Sequence, residues 1–254
     1  MGTNYQNKIQ KRNGAPRFEI IFGVLLVFLI GLILLNSKLF AVTNVEIKGN
    51  QIVSSEDIIL NAGLNSYRNI FQIDSDKLST LILQDPRIAT VKIKRQLPGK
   101  IIIFVDERIP LCLLSYLNNL LIIGDDALVM GVQEENEAIE LPVVIGVRPK
   151  SIKYGEKVLS SDFQIALEIL RYSDDYLHQV ISEIDLSKFR LYLNLPEYHH
   201  SIKVELGTAE RLEEKITNLR SILLSADLKG KLEQIDLRVS DLPTVITSKS
   251  LKKL

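Results

Sequence analysis

The sequence predicts an α+β chain carried on an N-terminal transmembrane helix, and three observations lead there. An uncharged apolar run fills Ile20–Leu35. Residues 42–110 then change hydrophobic period in the order β-α-α-β-β. Residues 111–247 follow with short strands and two amphipathic helices, a mixed α/β domain built on an antiparallel sheet.

The apolar run reads IIFGVLLVFLIGLILL, with Phe18 extending it and Glu19 at one rim. Taken as residues 19–37, it is long enough as a helix to cross a hydrocarbon layer of roughly 30 Å. The preceding tail, residues 1–18, holds Lys8, Lys11, Arg12 and Arg17 before the helix and no acid ahead of Phe18. That asymmetry places the tail in the cytoplasm and the bulk of the chain outside. A cleaved signal peptide is the rival reading, and two features weaken it. The apolar run exceeds the usual h-region of about 7–15 residues, and Ala41-Val42-Thr43 is a poor cleavage site. Gly23 and Gly31 are spaced too widely for a close helix-pairing motif.

After the anchor, Val42–Lys48 alternates as a strand, and Gly49-Asn50 turns it. Ser54 is placed to cap a helix whose apolar face is Ile58, Ile59 and Ala62, with Gly63 as its stop. A second helix starts near Asp74, buries Leu78, Leu81 and Ile82, and ends at Asp85-Pro86. Ile88–Lys94 and Ile101–Asp106 form a hairpin about Leu97-Pro98-Gly99-Lys100. In the next region Leu120–Ile123, Ala127–Met130 and Leu141–Val147 read as strands, and Glu134–Glu140 as an acidic loop. A helix follows at Ser161–Tyr172, then strands at Val180–Leu186, Arg190–Leu195 and Ser201–Leu206. Thr208 is expected to cap a helix with the seam Leu212, Ile216, Leu219 and Leu223. Leu232–Val239 is the last expected strand, and residues 248–254 form a basic, frayed tail.

Chemistry is hard to find along this chain. Basic and acidic residues balance at 31 each, so no overall field favours nucleic acid. The single cysteine, Cys112, sits in an apolar run and reads as a buried hydrophobe. His178, His199 and His200 lack metal-ligand spacing. Asp125-Asp126 and Asp174-Asp175 fall in turns. The lone Ser-x-x-Lys, Ser250 to Lys253, stands in the last residues of the chain, where a rigid site is unavailable. No catalytic, metal or cofactor-binding residue and no small-molecule substrate are expected.

Several short motifs in order resemble a known family. They are Val45-Glu46-Ile47-Lys48-Gly49-Asn50, Asn69-Ile70-Phe71, Asp85-Pro86-Arg87-Ile88, Gln96-Leu97-Pro98-Gly99-Lys100 and Asp106-Glu107-Arg108-Ile109-Pro110. Leu141-Pro142 with Gly146, Leu206-Gly207, Lys215 and Ile235-Asp236-Leu237-Arg238 continue the series. Residues 42–110 thereby resemble a POTRA domain of the FtsQ type, and residues 111–247 the β domain of the bacterial cell-division family FtsQ/DivIB. The turn at Gly124-Asp125-Asp126 departs from the family's usual tyrosine-bearing hairpin.

The resemblance implies a non-enzymatic divisome scaffold in the cell membrane at the division septum. It implies binding to FtsB/DivIC-like and FtsL-like bitopic proteins and influence over septal peptidoglycan synthesis. It places the partner site at the end of the second domain, on the strand ending Asp236-Leu237-Arg238 and the segment after it. Arg238, Val239, Ser240, Leu242, Thr244, Val245 and Ile246 are the expected contacts, through strand addition to an open sheet edge. Leu237 reads as core, and an internal ion pair is the rival role for Arg238. A POTRA-containing transport protein and an anchored cell-wall enzyme are the competing readings.

Overall fold

The computed structural model describes residues 16–35, 37–64, 69–134, 139–149, 151–225 and 232–247. The expected cytoplasmic tail, the core of the acidic loop and the C-terminal tail with Ser250 and Lys253 lie outside or largely outside them. The chain divides into two compact units: residues 1–82 with 91–105, and residues 83–90 with 106–254.

The first unit opens with α1, Pro16–Leu35, whose apolar side chains from Phe18 to Ile33 are exposed. Among the described residues no helix is long and apolar enough to cross a membrane. A single helical turn at Lys38–Phe40 leads into β1, Asn44–Lys48. Helices α2 (Ser55–Asn61) and α3 (Ser75–Ile82) come next, then β2 (Ile88–Gln96) and β3 (Lys100–Glu107). Ser54 caps α2 as its position suggests, its hydroxyl accepting from the Asp57 N–H at 3.1 Å. Asp74 does the same for α3, accepting from Asp76 and Lys77. The sheet runs β1-β3-β2, with β1 parallel to β3, so Val45 faces Ile101 and Ile47 faces Ile103. Gly49 closes β1 at φ +94°, and any Cβ there would collide with the Val105 carbonyl oxygen.

The second unit carries a nine-stranded sheet. Its strands are β4 (Pro110–Tyr116), β5 (Asn119–Gly124), β6 (Val129–Val132), β7 (Val143–Ile145), β8 (Ile181–Asp185), β9 (Arg190–Leu193), β10 (Ile202–Glu205), β11 (Leu232–Asp236) and β12 (Thr244–Thr247). They lie in the order β12-β11-β10-β9-β8-β7-β4-β5-β6. Helix α4 occupies Ser161–Tyr172, the span its apolar spacing predicts, and buries Phe163, Ala166, Leu167 and Leu170. Helices α5 (Asp175–Val180) and α6 (Leu212–Leu223) complete the unit.

The structure corrects the expected antiparallel sheet with two helices. The sheet is mixed: β4 with β7, β7 with β8 and β10 with β11 run parallel. Helices α4 and α5 separate β7 from β8, and α6 separates β10 from β11. Such crossovers return the chain in its original direction. Val180 ends α5 instead of opening a strand, because Asp174 accepts from the Leu177 N–H at 3.0 Å and starts a short helix there. Thr208 is not the cap of α6. That position belongs to Arg211, in left-handed backbone at φ 53°, while the Thr208 carbonyl accepts from Lys215. β4 is buried from Cys112 to Leu114 on both faces, so it lacks the alternation that marks a strand.

Candidate protein-interaction edge

A sheet edge presents backbone N–H and C=O groups to any strand that arrives, and the two edges of the nine-stranded sheet differ. Beside β6 the chain folds back on itself. Val129 N–H donates to the Glu156 carbonyl at 3.0 Å, Gly155 N–H to Val129 at 3.0 Å, and Val158 N–H to Ala127 at 2.9 Å. A bridge between Leu128 and Lys157 completes that cover. At the opposite end β12 pairs with β11 alone, and no strand occupies its outer side among the described residues.

The placement of β12 starts with α6. This helix carries β11 back parallel to β10, and its Ile216 and Leu219 are buried in the core. Lys215 is buried too. Its ammonium donates to the Leu206 carbonyl at 2.8 Å and the Thr208 carbonyl at 3.0 Å. Desolvation lowers its pKa from the ordinary lysine value, with Glu210 opposing the shift. The Leu237 N–H, just past β11, donates to the Glu205 carbonyl at 2.8 Å, and the Leu237 side chain is fully buried. Leu237 is therefore core.

The chain then reverses through residues 238–243 under several restraints. Leu242 N–H donates to the Val239 carbonyl at 3.2 Å, and Asn218 Nδ2 to the Ser240 carbonyl at 2.8 Å. Arg211 holds Asp241 with Nη1 at 2.7 Å and Nη2 at 2.9 Å, and also contacts Glu214. Gly207 lies beneath Arg238 at φ +74°, where a Cβ would stand 2.9 Å from the Arg238 Cγ.

The seven expected contacts separate into groups. Arg238 holds Asp236 through Nε at 3.0 Å and Nη2 at 2.7 Å, yet its side chain remains largely open to solvent. Its guanidinium keeps the Asp236 carboxyl below the ordinary aspartate range, against a smaller opposing effect of burial. Arg238 is thus both ion-paired and reachable. Val239 is 58% exposed and Leu242 74%. Thr244 and Ile246 pair with Asp236 and Gln234 and are exposed, whereas Val245 pairs with the fully buried Ile235 and packs on the core. Side chains alternate along a strand, so Thr244 and Ile246 share one face and Val245 takes the other. Ser240 differs from the others: it is buried, and its carbonyl accepts from Asn218, which shapes the turn.

Sequence reasoning placed the partner site on the strand ending Asp236-Leu237-Arg238 and the segment after it; in the sheet that following segment forms the outermost strand, β12. The signal was present in Thr244-Val245-Ile246-Thr247, four β-branched residues in a row.

Elsewhere the titratable groups serve the fold. No cluster able to hold a metal occurs among the described residues. Cys112 is buried, and desolvation pushes its thiol up to about 12. Asp174 caps α5 and pairs with Arg220; Asp126 pairs with Arg108; His200 lies 3.5 Å from Glu233.

Residues 40–108 match the family model of the FtsQ-type POTRA domain. The chain is 27% identical to the cell division protein DivIB of Clostridium acetobutylicum, over 78% of this chain and 79% of that protein. It is 26% identical to DivIB of Clostridium tetani, over 84% of this chain and 81% of that protein. It is 28% identical to the cell division protein FtsQ of Syntrophotalea carbinolica, over 55% of this chain and 49% of that protein.

Proposed function

We propose, from the premise that this chain belongs to the FtsQ/DivIB family of cell division proteins, that it is a membrane-anchored, non-enzymatic scaffold of the division machinery. In this reading α1 is the anchor, with the basic tail in the cytoplasm and both folded units outside. Small bitopic partners of the FtsB/DivIC and FtsL kind meet it in the plane of the membrane at the septum. Through them it influences septal peptidoglycan synthesis.

The observation that carries the reading is the asymmetry of the sheet. One edge is lined at Ala127–Val129 by residues 155–158, and the other ends in β12, with exposed Val239, Leu242 and Ile246. A partner strand laid along β12 gains main-chain hydrogen bonds for affinity and alternate side-chain contacts for specificity. Pro243, lacking an N–H, stops the added ladder at the turn. Arg238 supplies a charge beside it that an acidic partner residue would meet.

The test is co-purification of the full chain with its FtsB/DivIC-like partner. Ile246→Asp is expected to abolish it while the far-ultraviolet circular dichroism spectrum stays that of the wild type. Undiminished co-purification of Ile246→Asp and of Val245→Asp overturns strand addition at β12. Depletion of the protein is expected to give elongated, undivided cells, and normal septation under every growth condition would overturn the division role.

A further inference from the structure

We infer that Leu39 and Phe71 form an apolar foot that enters the lipid headgroup layer beside the outer end of α1; this rests on the reading of α1 as a membrane anchor.

The argument is one of reach and attachment. α1 ends at Leu35, and Leu39 follows so closely that even a fully extended connection places it at most about 14 Å away. The helical turn Lys38–Phe40 shortens that path, since such a turn rises only about 2 Å per residue. Headgroups on one side of a bilayer occupy about 5–8 Å beyond the hydrocarbon. A connection of that length that runs obliquely to the membrane normal keeps Leu39 within this layer, and the side chain points outward: it is 62% exposed.

Phe71 is remote in sequence but is fastened to the same spot. Ile70 N–H donates to the Phe40 carbonyl at 2.8 Å, and Ala41 bridges to Asn69. The Phe40 and Phe71 rings meet edge to face with centroids 5.2 Å apart. Ile70 is fully buried, so the segment 69–72 cannot swing away without emptying core, and Phe71 is left 43% exposed. Further turns fix its backbone: Phe71 N–H donates to Asn69 Oδ1 at 3.0 Å and Gln72 N–H to the Asn69 carbonyl at 2.9 Å. Two large apolar side chains thus stand in the open, one four residues past the end of α1 and the other fastened to Phe40. Lys38, exposed between the anchor and Leu39, adds a cation of the kind that reaches for lipid phosphate. Aromatic and aliphatic side chains at this depth gain from the boundary between headgroup and acyl chain. The occupant is the phospholipid surface itself, and the foot fixes the tilt of the first unit against it.

The chain has no tryptophan, which makes a depth measurement clean. Leu39→Trp, Phe71→Trp and Phe28→Trp are each introduced into the full chain, in vesicles of phosphatidylcholine and phosphatidylglycerol. Emission is compared in ordinary lipid, in lipid brominated near the headgroup end of the acyl chains, read for Leu39→Trp and Phe71→Trp, and in lipid brominated near their methyl end, read for Phe28→Trp. Phe28→Trp tests the anchor. Leu39→Trp and Phe71→Trp are each expected to lose about half their emission in brominated lipid and to shift to shorter wavelength. Quenching of Phe28→Trp without quenching of both others overturns the foot and leaves the anchor standing. Failure of Phe28→Trp to quench removes the anchor and the foot together.

Discussion

The guanidinium of Arg108 donates through Nη1 to the Pro86 carbonyl at 2.6 Å, and the same nitrogen reaches the Ile88 carbonyl at 2.7 Å. Its Nε meets Asp126 at 3.2 Å, and the Arg108 N–H donates to the Arg87 carbonyl at 2.8 Å. The arginine of the Asp106–Pro110 motif therefore satisfies carbonyls of the Asp85–Ile88 turn and binds the β5–β6 turn in one stroke. A lysine has no planar fork to do this. Arg108→Ala is expected to cost about 2–3 kcal/mol of stability and Arg108→Lys to recover less than half of it, read by urea denaturation.

Lys215 is expected to behave as a structural residue. Lys215→Ala leaves the Leu206 and Thr208 carbonyls without their shared donor and opens a cavity in the helix seam, for a loss of about 3 kcal/mol. Lys215→Met fills the space and is expected to lose only the hydrogen-bonding part, about half as much. Thermal unfolding of the two variants separates these contributions.

Asp185 makes a pH-dependent contribution with a definite sign. Burial would raise its pKa, but the Ser187 hydroxyl at 2.6 Å, the Ser187 and Lys188 N–H groups and the Lys188 charge outweigh it and lower the pKa from 3.8. A depressed carboxylate contributes stability above its unfolded pKa, and that stability is lost as pH falls through the folded value. Asp185→Asn is expected to cost about 1–3 kcal/mol at about pH 7, and the difference should close as pH falls through the lowered folded value. Urea denaturation across that range checks it.

Cys112 gives an internal reporter for the second unit. With the thiol buried and pushed up to about 12, thiolate is scarce and inaccessible. Iodoacetamide at about pH 8 is expected to label the native chain at least about a thousandfold more slowly than the urea-unfolded chain. Labelling time courses followed by mass spectrometry measure this directly.

The two faces of β12 separate folding from binding. Val245→Asp puts a charge beside buried Ile235 and is expected to cost about 1–3 kcal/mol, while Ile246→Asp stays within about 0.5 kcal/mol of the wild type. Both are expected to lose the partner. Denaturation and co-purification of the same two variants report the two effects independently.

What the sequence made legible follows its local physics. Ser54 and Asp74 announce their helices because a cap is a short-range hydrogen bond. Helix α4 is readable to its ends because one face is continuously apolar. Helix α5 is too short to show a period. The strand β4 is hidden because both its faces are buried, and β12 because Pro243 and a restrained turn separate it from β11. At the candidate site Val239, Leu242, Thr244 and Ile246, named from the sequence, are exposed in the fold. The inward turn of Ser240 was not legible in the sequence, since Asn218 holds it from a helix that ends before β11 begins. The Arg108 motif could be quoted, but its acceptors are backbone carbonyls whose positions only the folded chain defines.

The cover laid over β6 by Gly155 and Val158 bears on valence. A sheet open at both ends would let one molecule hand its ladder to the next, and a fibre would grow head to tail. With residues 155–158 laid against Ala127–Val129, strand addition at β12 would leave less room for a second added strand at the opposite end. Two copies meeting through β12 would spend the same surface on each other, so self-pairing and partner capture exclude one another. If β12 is the partner edge, crowding these molecules together would raise competition for it rather than extend the sheet.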